Sequence, residues 1–417
     1  MQPQAQDRMV SFDRAALMRI ADWLMVAVAA SLPWSTSATS ILLVLWLISA
    51  ISALQWQDVR AALVRPAAYL PVLLFLLGAL GVTWASVPWL ARWHGLDSFF
   101  RLLLIPMLFV EFRGSGRGLW VFGAFLLSCV LLLIATNVVI ALQPSFISLQ
   151  GDNVLVKNGT SQSGEFVTCI FGLLFLARDF VRRRQWIWLA TVAVIVLGML
   201  SSMFYVSTGR TALVTIPVLL VLFAAKELDY RSAAIVLAGA AVLGVIAWVS
   251  SPYLRERTVQ IWVDYRHYEA SDEQNSSGER LEFMKKSMAF VLQAPLIGHG
   301  TGSITELFKE AVVGKTGAQG SATTNPHNQT FAVAIQIGLV GALLLWAMWV
   351  AHALLFRRAS LADWIGLVVV VQNIVGSLFN SHLFDFVQGW TYIIGAGVAG
   401  GMVLKQEAAK GSSNTAP

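Results

Sequence analysis

Apolar residues in this chain run in long blocks instead of alternating with polar ones. Each block approaches the roughly 20 residues that a helix needs to cross a bilayer. They fall at 16–33, 38–54, 67–86, 96–111, 119–141, 164–180, 186–204, 210–225, 232–250, 327–355, 362–380 and 386–404. The pattern predicts an all-α, polytopic membrane bundle of about twelve transmembrane helices. Breaks such as Leu32-Pro33-Trp34-Ser35-Thr36 separate the blocks. One polar stretch is far longer than the rest. It divides the chain into spans 1–9 within 1–250, a large loop at 251–325 and spans 10–12 within 326–404. The small, polar tail 405–417 is expected to be disordered.

Composition supports a membrane protein. Hydrophobic residues make up 57% and charged residues 12%, against roughly 25% charged in soluble domains. The first block is followed by Ser-Leu-Pro-Trp, which does not fit a signal-peptide cleavage site. Cys129 and Cys169 both lie in apolar blocks and define neither a disulfide framework nor a metal spacing. Membrane lipids are expected partners and nucleic acid is not.

The formal charge of +6 is unevenly spread. One set of short connections carries Arg60/Arg65, Arg113/Arg117, Arg178/Arg182/Arg183/Arg184, Lys226/Arg231 and Arg357/Arg358. The N-terminus adds Arg8, Arg14 and Arg19, and the C-terminus Lys405 and Lys410. With an even number of spans these fall on one face, which the positive-inside rule makes cytoplasmic. Both termini are then cytoplasmic. In a bacterium the chain is expected in the inner membrane, with loop 251–325 in the periplasm.

Within the loop, Leu281, Met284, Met288, Val291 and Leu292 recur at helical spacing beside Lys285 and Lys286. They predict an amphipathic helix lying on the bundle or on the bilayer surface. Gly298-His299-Gly300-Thr301-Gly302 reads as a turn and lacks the context of a phosphate-binding fingerprint. No internal repeat of fixed period is evident, which weighs against a transporter built from repeated halves.

Ionisable groups at span boundaries carry the candidate chemistry. His327, in Asn325-Pro326-His327-Asn328-Gln329, is placed by Pro326 at a helix start. The positive end of the dipole there favours a neutral imidazole able to take a proton; a merely capping histidine is the alternative. Arg210, in Ser207-Thr208-Gly209-Arg210-Thr211, also sits at a helix start. The dipole opposes a cation there unless an anion is bound, the other reading being a snorkelling side chain. Arg280 precedes the amphipathic helix and either binds an anion or pairs with Glu279 or Glu282. Arg101 stands inside an apolar run and needs an anion or a route to water. Asp385, between the last two blocks, could orient a histidine or a substrate, or pair with a loop arginine. Arginine forks match phosphate oxygens, and no Asp-x-Asp pair is present to hold a divalent ion. The residues point to a metal-free site, without cofactor, where arginines neutralise a pyrophosphate.

The motifs in this order resemble those of a known family. Pro326-His327-Asn328-Gln329 followed by Gly338 and Gly341 is similar to the His-Asn…Gly-x-x-Gly helix of the O-antigen ligase superfamily. Ser207-Thr208-Gly209-Arg210 resembles its Ser-x-x-Arg segment, although Thr211 stands where a glycine is common. Arg280 with Pro295–Gly302 resembles the Arg…Pro-x-x-Gly-x-Gly-x-Gly segment, and Ser377–Ser381 the segment after the penultimate span. Within the superfamily the likeness is to the lipopolysaccharide O-antigen ligases. The resemblance implies transfer of an O-antigen glycan from undecaprenyl pyrophosphate to a sugar hydroxyl of lipid A–core, metal-independent and inverting. It implies His327 as general base, with Arg210 and Arg280 on the diphosphate. Arg101 and Arg266 are lesser candidates for the diphosphate or for acceptor phosphates, and Asn328 for a substrate hydroxyl. An O-antigen polymerase with the same donor is the nearest rival, although only one large loop is present here. A lipid-glycan transporter and a passive scaffold are more distant rivals.

Overall fold

A computed structural model describes residues 13–143, 154–207 and 209–413 of the chain. Arg8, Thr208 and the last tail residues 414–417 lie outside the described residues. Seventeen α-helices are described. In chain order they are α1 (Arg14–Ser31), α2 (Thr36–Ala53), α3 (Trp56–Ala62), α4 (Pro66–Gly81), α5 (Trp89–Phe100), α6 (Leu104–Gly114), α7 (Gly118–Leu142), α8 (Gly159–Arg182) and α9 (Trp186–Tyr205). There follow α10 (Arg210–Glu227), α11 (Tyr230–Ser250), α12 (Pro252–Ser271), α13 (Ser276–Gln293), α14 (Ile304–Ala311), α15 (Gln329–Leu355), α16 (Leu361–Gly376) and α17 (Phe386–Ser413).

Every apolar block of the sequence is helical, but the expected count of twelve spans is not reached by length and composition. Among the described residues six helices are long and apolar enough to cross a membrane: α2, α7, α9, α11, α15 and α17. A seventh is obtained if α3 and α4, which meet at 100°, are one broken span. The other blocks fall short for local reasons. The block at 96–111 is divided by a 3-10 turn at Arg101–Leu103, and α16 has only 16 residues. α8 buries Ser161, Gln162, Ser163 and Glu165 in its first turns. The tail expected to be disordered from Lys405 continues as helix to Ser413.

The main core packs α1, α2, α4, α6, α15, α16 and α17 around Trp46, Phe109, Phe112, Trp349 and Tyr392, all essentially inaccessible. A second core joins α7, α8, α9, α10 and α16. A third, built on Phe283, Phe290, Phe308 and Ile335, fastens α13 and α14 of the loop to α15. Each such phenylalanine contributes roughly 1.5–3 kcal/mol by burial. The loop is therefore a helical cap. The amphipathic helix predicted around Leu281–Leu292 is α13, but its buried face is Phe283, Lys286, Ser287, Phe290 and Val291. Met284, Met288 and Leu292 face outward.

α15 is broken. Ile337 (φ −131°) and Gly338 (φ 70°, ψ −173°) leave helical geometry in mid-run. Backbone groups freed by a break at membrane depth need partners, and the glycine-rich turn 298–302 supplies them. The His299 and Gly300 N–H groups donate to the Ile335 and Gln336 carbonyls, each at 2.8 Å. Leu339 N–H donates to the Pro295 carbonyl at 2.8 Å, and Gly302 N–H to the Gln336 side chain at 2.8 Å. Thr301 ties the same turn to α4 through N–H to the Gly81 carbonyl at 3.0 Å. Only glycine fits at 338, because its backbone is left-handed and a Cβ would meet the Leu296 and Ile297 backbone. The glycine motif is thus a structural clasp.

Candidate active site

Five helices, α2, α8, α10, α13 and α17, begin on the wall of one cavity of about 640 Å³. Helix starts present unpaired N–H groups and the positive end of the dipole. Asn158 caps α8 by accepting from Ser161 N–H at 2.8 Å. α10 has no side-chain cap; its Ala212 N–H donates to the Gly209 carbonyl at 2.9 Å, and a helix start of this kind favours an anion. α8 and α10 are locked together here, with Gly209 N–H donating to Ser163 Oγ at 2.9 Å. A Cβ at Gly209 would press on the Thr160 backbone at 2.8 Å.

Four cationic side chains line the same cavity: Lys157, Arg210, Arg257 and Arg280. Arg210 is only loosely matched, with Asp264 at 3.7 Å and Ser276 Oγ at 3.5 Å. Arg280 has no ion-pair partner among the described residues. Burial, and then the like charge of Arg210, push its guanidinium below the ordinary value. Both effects mark a site where an anion would be strongly favoured. Lys157 has a left-handed backbone (φ 60°), donates to the Leu32 carbonyl and lies 3.7 Å from Glu165.

His327 stands just ahead of α15 and not in its first turn, as the sequence suggested; Asn328 is the N-cap. Its backbone is left-handed (φ 54°), a conformation that costs about 1–3 kcal/mol and persists only where the surroundings fix it. Three contacts fix it here. His327 N–H donates to Asn325 Oδ1 at 2.9 Å, the ring stacks on Phe283 at 5.8 Å and 16°, and Nδ1 lies 3.0 Å from Asn380 Oδ1. The tautomer follows from the neighbours. Asn380 Nδ2 donates to Asp385 Oδ2 at 2.6 Å, and Asn325 Nδ2 donates to Asn380 Oδ1 at 2.8 Å. A carboxylate can only accept, so the Asn380 oxygen faces the imidazole and Nδ1 must carry the proton. Nε2 is left with its lone pair, as a proton acceptor requires.

Burial first, and the Arg280 charge second, lower the His327 pKa below its ordinary value, against a smaller raising effect of Asn380 and Glu279. Asp385 is raised to about 6, chiefly by burial and opposed by Arg101. Above that value it is the acceptor that holds Asn380 in place.

The structure brings Arg210, Arg280 and Asp385 onto one cavity wall, and links His327 to that wall through Asn380. It does not bring Arg101, Arg266 or Asn328 there. Arg101 donates to the Asp385 carbonyl at 2.9 Å and lies over Trp390 at 5.4 Å. It meets its need for a partner by pinning the 384–385 backbone. Arg266 is exposed and stacks on Trp262 at 5.0 Å. Asn328 caps α15 by accepting from Phe331 N–H at 3.1 Å. Sequence reasoning missed Lys157, Arg257 and Asn380 as members of the site. Only Asn380 left a signal, its place in the Ser377–Ser381 segment. Among the described residues no three His, Cys, Asp or Glu side chains are grouped to hold a metal ion.

No curated protein matches the chain. Residues 197–346, the stretch that carries Arg210, Arg280, the glycine clasp and His327, match the family model described as O-Antigen ligase.

Proposed function

We propose that the chain transfers an O-antigen glycan from undecaprenyl pyrophosphate to a sugar hydroxyl of lipid A–core. The carrying observation is the junction of an anion-seeking cavity with a neutral, oriented imidazole. The diphosphate occupies the cavity, neutralised by Arg210 and Arg280 and by the N–H groups at the start of α10. The acceptor oxygen attacks the anomeric carbon from the face opposite the diphosphate, which inverts the configuration. The anomeric C–O bond breaks and its electron pair stays on the pyrophosphate oxygen. The acceptor proton passes to His327 Nε2. A positioned base is worth roughly 10²–10⁴-fold in rate, and each donor to the leaving charge roughly 10²–10³-fold.

The arginine-rich short connections lie at the opposite end of the bundle from this cavity. By the positive-inside rule that end is cytoplasmic and the cavity opens to the periplasmic side of a bacterial inner membrane.

The test is reconstitution in lipid. Purified protein is given the donor with lipid A–core, or the donor alone. Glycan coupled to the core, undiminished by a chelator, is the expected result. Chain growth on the donor without core would make the protein a polymerase. Transfer that stops on chelation and returns with Mg²⁺ would overturn the metal-independent mechanism.

A further inference from the structure

Behind the residues that hold His327 lies a second cavity, of about 680 Å³. Its walls are α5, with His94 and Ser98, α14, with Thr305 and Lys309, and the turn that contains Asn325. Asp385 lines both cavities. The hydrogen-bonded group of Asn325, Asn380, Ser381 and Asp385 therefore stands between them, with Ser381 Oγ donating to Asn325 Oδ1 at 2.7 Å.

The two cavities differ in charge. No arginine lines the second, and its Lys309 is paired with Glu306 at 3.0 Å. Arg92, on α5, is folded back onto the Val87 and Val82 carbonyls at 2.8 and 3.0 Å. A diphosphate would find little there, whereas hydroxyl, amide and carboxylate groups suit the hydroxyls of a sugar. α5 also exposes Trp89, Leu90 and Trp93, an aromatic and aliphatic edge of the kind that sits at a membrane interface. Sugar-binding walls beside a lipid-seeking edge fit an amphiphile with a glycan head.

We infer that the second cavity receives the acceptor, a hydroxyl-rich glycan carried on a lipid, while the diphosphate donor occupies the first. The two substrates approach from opposite sides of the partition that orients the base. This assignment rests on the transferase reading.

The test separates the two. Ser98→Trp and Thr305→Trp fill the second cavity from opposite walls. Binding of purified lipid A–core, and separately of the undecaprenyl-pyrophosphate-linked glycan, is measured on wild type and on each variant in nanodiscs. Expected is an acceptor affinity lower by about tenfold or more in both variants, with donor binding unchanged, which also shows that each variant is folded. Wild-type acceptor affinity in a variant that binds donor normally overturns the assignment even if the enzyme is an active transferase. If one variant loses donor binding as well, the other decides. A wild type that neither transfers to lipid A–core nor binds it defeats the ligase reading itself. Donor-lipid binding lost in step with the filled cavity would mean that the second cavity takes a lipid-linked donor chain, and would overturn the assignment as well.

Discussion

Arginines crowd both ends of the bundle, but they are treated differently. At the end away from the cavity several are matched by carboxylates. Arg65 meets Glu407 at 2.8 Å, Arg358 meets the same residue at 2.9 Å, Arg14 meets Asp58 at 3.3 Å and Arg117 meets Asp22 at 2.9 Å. At the cavity end Arg210 reaches Asp264 only at 3.7 Å, and Arg280 meets another cation. Matched charge holds helices in place. Unmatched charge facing a cavity is held ready for something that arrives from outside, since a buried cation is costly until an anion joins it. The difference separates arginines that anchor the fold from those that the proposed mechanism sets on the diphosphate.

The largest effect is expected at the base. His327→Ala should lower transfer by roughly 10²–10⁴-fold while donor binding and folding persist; near-normal O-antigen attachment in that variant would remove the residue from the mechanism. Arg280→Ala should cost roughly 10²–10³-fold and weaken donor binding. Arg280→Lys should recover only part of the loss, because the ammonium lacks the planar fork. Full recovery would mean that a diffuse positive field is enough.

The pH profile sharpens the comparison further. In the proposed mechanism His327 works as a neutral ring, so activity should be lost as pH falls through its pKa, which burial and Arg280 lower from the usual histidine value. Removing the Arg280 charge relieves one cause of that lowering, and the acid limb of Arg280→Ala should shift to higher pH. An unmoved limb would show that burial alone sets the imidazole. Asn380→Ala should reduce kcat by about tenfold or more with little change in donor affinity. It removes the acceptor that fixes the Nδ1 proton without removing the base. Smallest is Arg65→Ala, which breaks a partly exposed pair worth under about 1 kcal/mol. Thermal unfolding should move slightly and transfer not at all; a large loss of transfer would erase the distinction between the two ends.

Much of this was legible along the chain, for physical reasons. Helical blocks follow from apolar runs, and Arg210, Arg280 and His327 stood out because each broke a local expectation of charge or dipole. What was hidden depended on three-dimensional placement. Lys157 and Arg257 look like ordinary loop cations until folding brings the starts of α8, α12 and α13 together. Arg101 looked like a ligand-binding cation because the carbonyls that satisfy it, at Phe384 and Asp385, are far away in sequence. By length and composition the described helices give six or seven spans where the sequence suggested about twelve, because runs such as 96–111 and 164–180 are apolar only on average. Their breaks and buried polar turns serve the bundle interior instead of lipid.

The clasp at Gly338 gives the molecule a seam. The outer piece of α15, which begins just after His327, is bonded to the glycine turn and through it to α4, and both pieces pack into the main core, the outer through Val333 and Ile337 and the inner through Leu345, Met348 and Trp349. An added methyl group at Gly338 or Gly298 touches no substrate, yet it would tilt the imidazole away from its partners. Random mutagenesis scored for lost transfer in well-inserted protein should therefore return these glycines alongside the arginines.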